Sequence, residues 1–226
     1  MNENNAAPQT LLHPPPWKLQ GDAFLLNYWL TPSFIAQNKA FNLHASRLGR
    51  MIQVMLVRYR QSPIGAYDEL LLLDHPLFAE HKLHTIPKIY VSTHSSVNHG
   101  QQLWGIPKEL ANFEWQEHGN DVQCTIHLPH DLNNQIVIRC TKASNPYLWP
   151  ASSKILPASF LKIQQTHKHR LFQFSPSFHG TLTKLQSAEW LKTNGLFPDL
   201  SQAVYLPSFH VPNFELVFPE ADIQTI

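Results

Sequence analysis

Between Ala111 and Cys140 the chain alternates apolar and polar residues, and that alternation limits the possible folds more than any other feature. Ala111, Phe113 and Trp115 are interleaved with Asn112, Glu114 and Gln116; Val122, Cys124, Ile126 and Leu128 are interleaved with Gln123, Thr125 and His127. Successive side chains of a strand point to opposite faces, so each run reads as a strand with one apolar face. A turn at Glu117–Asp121 makes them an antiparallel hairpin. Pro129–Asn134 turns the chain again into Gln135–Cys140, giving a three-strand meander.

Similar runs recur. Ala23–Leu30 and Met51–Tyr59 have strand length and composition, and Gln61–Gly65 carries the turn signals that lead into Tyr67–Leu73. Alternation in that last run places Tyr67, Glu69, Leu71 and Leu73 on one face. A carboxylate among leucines is costly to bury unless paired, so Glu69 belongs either to a solvent edge or to a site. Thr31 reads as an N-cap, with Pro32 in the first turn of a short helix over Ser33–Lys39. Asp74–Pro87 reads as a histidine-rich connection before a strand at Lys88–Thr93. Later, Asn145–His169 reads as loops with a short helix around Ser159–Gln165. Gly180–Gln186 and Phe214–Phe218 read as strands, and Ser187–Asn194 as a helix ended by Gly195.

A chain of 226 residues suits one domain, residues 1–226, with an extended lead at 1–16 and a frayed tail at 219–226. Its 18 prolines against 8 glycines favour extended segments and turns over long helices. The pattern implies a mainly β antiparallel barrel or sandwich. The 17 basic and 16 acidic residues nearly cancel, which gives no electrostatic basis for a nucleic-acid or anionic-membrane partner. Met1–Thr10 does not read as a signal peptide, and no stretch has the length of a membrane span. Cys124 and Cys140 make no disulfide framework, so a cytoplasmic location is expected, with a homo-oligomeric assembly. The 14 histidines include close pairs such as His81 with His84 and His167 with His169, but none stands in a metal-ligand pattern. No phosphate loop, dinucleotide fingerprint or nucleophile elbow is present, and no cofactor or metal is expected.

The chemistry points to Gly100-Gln-Gln-Leu-Trp-Gly-Ile-Pro-Lys-Glu-Leu110. Pro107 fixes its own φ and biases Ile106 toward extended backbone, so Lys108 enters the next strand from a stiff approach. This segment resembles the lysine-bearing motif of the acetoacetate decarboxylase family, and Ser62-Pro-Ile-Gly-Ala-Tyr-Asp-Glu69 resembles that family's turn and strand with an active-site glutamate. Pro15-Pro16-Trp17 and Gly21 extend the similarity over about the first half of the chain.

The resemblance implies a closed, cone-like antiparallel β-barrel with flanking strands, a few short helices and the lysine facing its interior. It implies catalytic Lys108 and Glu69, with Tyr67, Gln102, Trp104, Ile106 and Glu109 at the substrate site. The partner implied is a small carbonyl substrate, an oxo acid or relative, which condenses with the lysine amine so that the imine accepts the electron pair of a departing carboxylate. That needs free amine, yet a lysine at its reference pKa of about 10.4 supplies very little at neutral pH.

This chain departs from the family pattern at several positions. Glu109 stands where a second lysine is usual, Gln101 and Gln102 where Arg-Glu is usual, and Leu19-Gln-Gly-Asp22 lacks the usual arginine. Arg58, Arg60 and Arg139 are the candidates to take that arginine's place. The competing readings are a ligand-binding barrel in which Lys108 pairs with Glu69 or Glu109, and an accessory subunit with a vestigial pocket.

Overall fold

The computed structural model describes residues 13–75, 83–156 and 161–226. The chain opens with strand β1 (Trp17–Leu30), whose end passes into helix α1 (Pro32–Gln37). The Thr31 hydroxyl accepts from Phe34 N, the cap expected from the Thr-Pro pair. Strands β2 (Arg50–Gln61), β3 (Tyr67–Asp74) and β4 (Thr85–Val91) follow, then helix α2 (His94–Trp104) and the short β5 (Lys108–Leu110). The meander is β6 (Asn112–His118), β7 (Asp121–Leu128) and β8 (Asp131–Lys142). Beyond it lie β9 (Trp149–Ser152), β10 (Ile163–His167), β11 (Arg170–Phe174) and the long β12 (Ser177–Lys192). The chain closes with β13 (Val204–Tyr205), β14 (Phe209–Phe218) and β15 (Asp222–Thr225).

One sheet runs in the order β5-β4-β3-β2-β1-β14-β12-β8-β7-β6, with β13 on β1 and β9 on β12. Neighbours are antiparallel except β4 and β5, where Ile89 lies beside Lys108 in parallel register. The order ends at β5 on one side and β6 on the other, so hydrogen-bonded ladders do not close it into the expected barrel. A second sheet, β10-β11-β15, stands apart.

Both faces of the main sheet are buried. Phe24, Leu26, Leu56, Leu70 and Leu72 pack with Val122, Cys124, Ile126 and Ile138 in one core. The alternate residues of the same strands, among them Val57, Tyr59, Tyr67, Leu71, Ile89 and Val91, form the other core with Trp104, Ile106, Ile163 and Phe174. Helix α2 and the small sheet therefore roof the second face. Gln165 Nε2 donates to Ile86 O, and Gly105 lies against Phe172.

Several local readings are corrected. Ser187–Asn194 is no helix: up to Lys192 it continues β12, pairing Ala188 with Cys140 and Trp190 with Ile138 between two register shifts. The free edge of β8 supplies hydrogen bonds and an apolar surface for Trp190, which outweigh helix propensity. Residues 159 and 160 of the helix placed at Ser159–Gln165 lie outside the described residues, whereas Ile163–His167 is strand β10. Asn145–His169 thus holds two strands, and Thr85–Pro87 of the supposed connection belongs to β4. The tail is paired rather than frayed, with Phe172 opposite Ile223. Helix α2 was not legible at all. It is nucleated by the Thr93 hydroxyl, which accepts from Ser96 N at 3.2 Å.

Acid sensitivity follows from two histidines. Burial, helped by neighbouring His84, holds the His75 imidazole down at about 4 against an ordinary 6.5, and burial does the same for His210. Above about pH 6.5 both folded and unfolded chains leave these rings neutral. As pH falls toward 4 the unfolded rings take up protons first, so stability is lost through that window. At roughly 1.4 kcal/mol per pKa unit, discounted for partial exposure, the loss should be about 2 kcal/mol for His75. Urea midpoints measured from pH 7 to pH 4 should fall, and His75→Gln should flatten the slope.

Candidate active site

The end of α2 positions the lysine. Gly105 sits in the left-handed region at φ 63 and its N–H donates to Gln101 O, after which Ile106 N donates back to Gly100 O. Glycine is the residue that meets this conformation without strain. Lys108 N then bonds Ile106 O at 2.8 Å across Pro107, and the Gln101 amide holds Lys108 O at 3.0 Å. This path folds residue 108 back onto residue 100. A Cβ on Gly100 would lie 2.5 Å from Lys108 Cδ and 2.8 Å from Cε, so the lysine stem runs across the bare backbone of the helix. Gly100→Ala should displace the amine while gaining a little helix propensity, about 0.5–1 kcal/mol. We expect little change in melting temperature but roughly tenfold less chemical labelling of Lys108, since small misplacements of a reacting atom cost that much or more.

The Lys108 ammonium donates to Glu69 Oε2 at 2.8 Å and to Ser96 Oγ at 3.0 Å. Lys108 is 6% and Glu69 3% exposed, so the ion pair is shielded from solvent. Tyr59 OH donates to the other Glu69 oxygen at 3.1 Å, and the Tyr67 hydroxyl bonds Ser96. The Tyr67 ring lies 5.3 Å from the ammonium. Burial, and then the Glu69 charge, push both phenols well above the ordinary tyrosine range, so they stay protonated donors. Trp17, Leu19, Ile89, Trp104, Ile106 and Phe218 are among the apolar side chains of the wall. The cavity they enclose is about 20 Å³, room for about one water. A much larger cleft of about 510 Å³, lined by Gln20, Arg60, His179 and Glu215, lies elsewhere and contains no buried amine.

Of the residues expected here, Lys108, Glu69, Tyr67, Trp104 and Ile106 come together. Gln102 and Glu109 do not. Gln102 is exposed on α2, and Glu109 points outward to pair with Lys88 at 2.6 Å. Strand alternation groups Glu109 with Ala111; both lie on the face of Tyr90 and the meander core, while Lys108 lies on the other. Because both faces of the sheet are buried, the lysine is enclosed without any break in the alternation. Its surroundings are the core roofed by α2.

The candidate arginines are engaged elsewhere. Arg58 pairs with Asp22 and Glu117, Arg60 with Asp22, and Arg139 lies 3.7 Å from Glu189. Ser96 and Tyr59 went unnoticed in the sequence. Ser96 stands one helical turn before Gly100, and Tyr59 faces Tyr67 across the hairpin. Only a helix assignment at α2 and a hairpin register would have revealed them. Among the described residues no group of three or more His, Cys, Asp or Glu side chains is placed to hold a metal; His81 is outside them.

The sequence model described as acetoacetate decarboxylase matches residues 8–132. The chain belongs to the acetoacetate decarboxylase family. Solved structures extend the likeness to the whole chain. An acetoacetate decarboxylase from Legionella pneumophila superposes with a TM-score of 0.67 at 12% identity, covering 100% of this chain and 98% of that one. The enduracididine biosynthesis enzyme MppR, complexed with pyruvate, gives 0.61 at 15% identity, covering 95% and 92%. An acetoacetate decarboxylase-like enzyme from Sphingomonas wittichii RW1 gives 0.61 at 10% identity, covering 99% and 98%. No curated protein sequence matches.

At such identities the structures establish the fold, which is mainly β and acetoacetate decarboxylase-like, and no more. The fold includes β9 to β15, which lie beyond the residues matched by the family model. Among the described residues, no helix of this family member is long and apolar enough to cross a membrane.

Proposed function

We propose that this chain forms an imine between Lys108 and a small carbonyl compound, as a carbon–carbon lyase of the acetoacetate decarboxylase type. The observation that carries the reading is the enclosed pair of Lys108 Nζ and Glu69 Oε2 at 2.8 Å. Imine formation needs the ammonium proton to leave, and Glu69 is the adjoining acceptor. The amine nitrogen then bonds the carbonyl carbon, water leaves, and a protonated imine remains. From there the imine nitrogen takes up the electron pair of a breaking bond, to carbon dioxide for an oxo acid or to an α-proton for an aldehyde or ketone. Protonation at carbon and hydrolysis return the lysine. The Ser96 and Tyr59 hydroxyls hold the two charged partners in place, and Tyr67 bonds Ser96.

The second reading is a non-catalytic binding barrel, favoured by the closeness of the pair and the small cavity. Borohydride reduction separates them. The protein is incubated with acetoacetate, pyruvate, longer oxo acids, ketones and aldehydes, reduced, and mapped by peptide mass spectrometry. A stable adduct on Lys108 supports the imine. Absence of an adduct with every carbonyl compound would leave the binding reading.

A further inference from the structure

We propose that the carbonyl compound taken at Lys108 is uncharged and apolar, an aldehyde or ketone rather than an oxo acid. This rests on the imine step of the reading above and specifies its substrate class; with no carboxylate to lose, the imine then takes up the electron pair of a C–H bond to an α-proton in place of decarboxylation. Among the described residues lining the cavity, Lys108 is the one cation and Glu69 the one anion, and they already neutralise each other. Condensation conserves that balance: a lysine ammonium becomes a protonated imine, still opposite a carboxylate. An oxo acid would bring a further negative charge into an enclosure with no second cation. A buried charge without a partner is disfavoured strongly enough to exclude its carrier.

Among the described residues, no arginine and no second lysine lines the cavity. Arg58 is held by Asp22 and Glu117, Arg60 by Asp22 and Arg50 by Asp74, and the Lys88 ammonium is turned outward to Glu109. The Tyr59 hydroxyl is also committed, to Glu69.

The way in points to the same class. A cavity of about 20 Å³ cannot hold a three-carbon carbonyl compound, so entry requires wall side chains to move. The wall around the amine is Trp17, Leu19, Trp104, Ile106 and Phe218, with Trp104 Nε1 bonded to Pro219 O and Trp17 Nε1 to His13 O. If the Trp104 ring yields, the Trp17 and Phe218 rings it packs against border the space. An alkyl or aryl ketone replaces those contacts; a carboxylate leaves its oxygens unpaired.

The test compares acids with their own esters on the full chain. Acetoacetate against methyl acetoacetate, pyruvate against methyl pyruvate, and 2-hexanone alone are each reduced with borohydride, and the Lys108 adduct is quantified. Each rate is divided by that with Nα-acetyllysine, which removes intrinsic carbonyl reactivity. Esters and 2-hexanone should exceed the acids by at least about tenfold, the discrimination expected from one uncompensated polar group. Acids that label Lys108 as fast as their esters overturn the substrate class and leave the imine standing. No adduct with any compound overturns both.

Discussion

Lys108→Met should abolish imine trapping and also destabilise the fold by about 3–5 kcal/mol, the cost of leaving one member of a buried pair without the other. Glu69 is 3% exposed, and without the ammonium its remaining side-chain hydrogen bond is the one from Tyr59. The effect on chemistry and the effect on stability are separable. Lys108→Met with Glu69→Gln removes both charges, and urea titration should recover most of the lost stability while labelling stays at zero. A double-mutant cycle then gives the coupling directly. Lys108→Arg should keep a cation near Glu69 but form no imine, because the guanidinium stays protonated. A single Lys108→Met variant as stable as the parent would mean that Glu69 finds water, contrary to the enclosed geometry.

The other large effect is expected at Asp74, at the far end of the strand that carries Glu69 and on its opposite face. Asp74 is 0% and Arg50 1% exposed, with Arg50 Nε 2.5 Å from Asp74 Oδ1. The other Asp74 oxygen accepts from His44 N at 3.3 Å and lies 2.9 Å from His44 Nδ1. Asp74→Ala leaves the guanidinium with its bond to His75 O and buries a charge without its counterion. A loss of about 3–5 kcal/mol is expected from urea denaturation. Replacing Arg50 and Asp74 together by apolar residues of similar size should cost far less, since a buried pair contributes little net stability. At temperatures where Asp74→Ala remains folded, borohydride labelling of Lys108 should be unchanged, because this cluster shares no residue with the cavity wall.

Much of the local structure was readable because it depends on neighbours in sequence. The meander follows from alternation between close turns, and the Thr31-Pro32 cap from a side chain reaching its own helix. Tyr67 and Glu69 were placed on one face by the same rule, and Lys108 by its motif. The failures all concern elements whose partners are distant. Helix α2 is poor in helix formers and carries Gly100, and it is held by its cap and by the core it covers. Trp190 lies in a strand because β8 offers it an edge, and Asp222–Thr225 is ordered because β11 does.

The sequence by itself determined the identities and spacing of the reacting pair, the family, the strand faces, and the stiff approach to Lys108 through Ile106 and Pro107. Tertiary structure alone decided which face encloses that lysine. Glu69 and Lys108 are 39 positions apart, and they meet because β4 lies between β3 and β5 and because helix α2 covers that side. Alternation assigns a residue to a face but cannot say what will cover it. That depends on pairings between strands far apart in the chain, which buried both faces and left Glu109 at an edge.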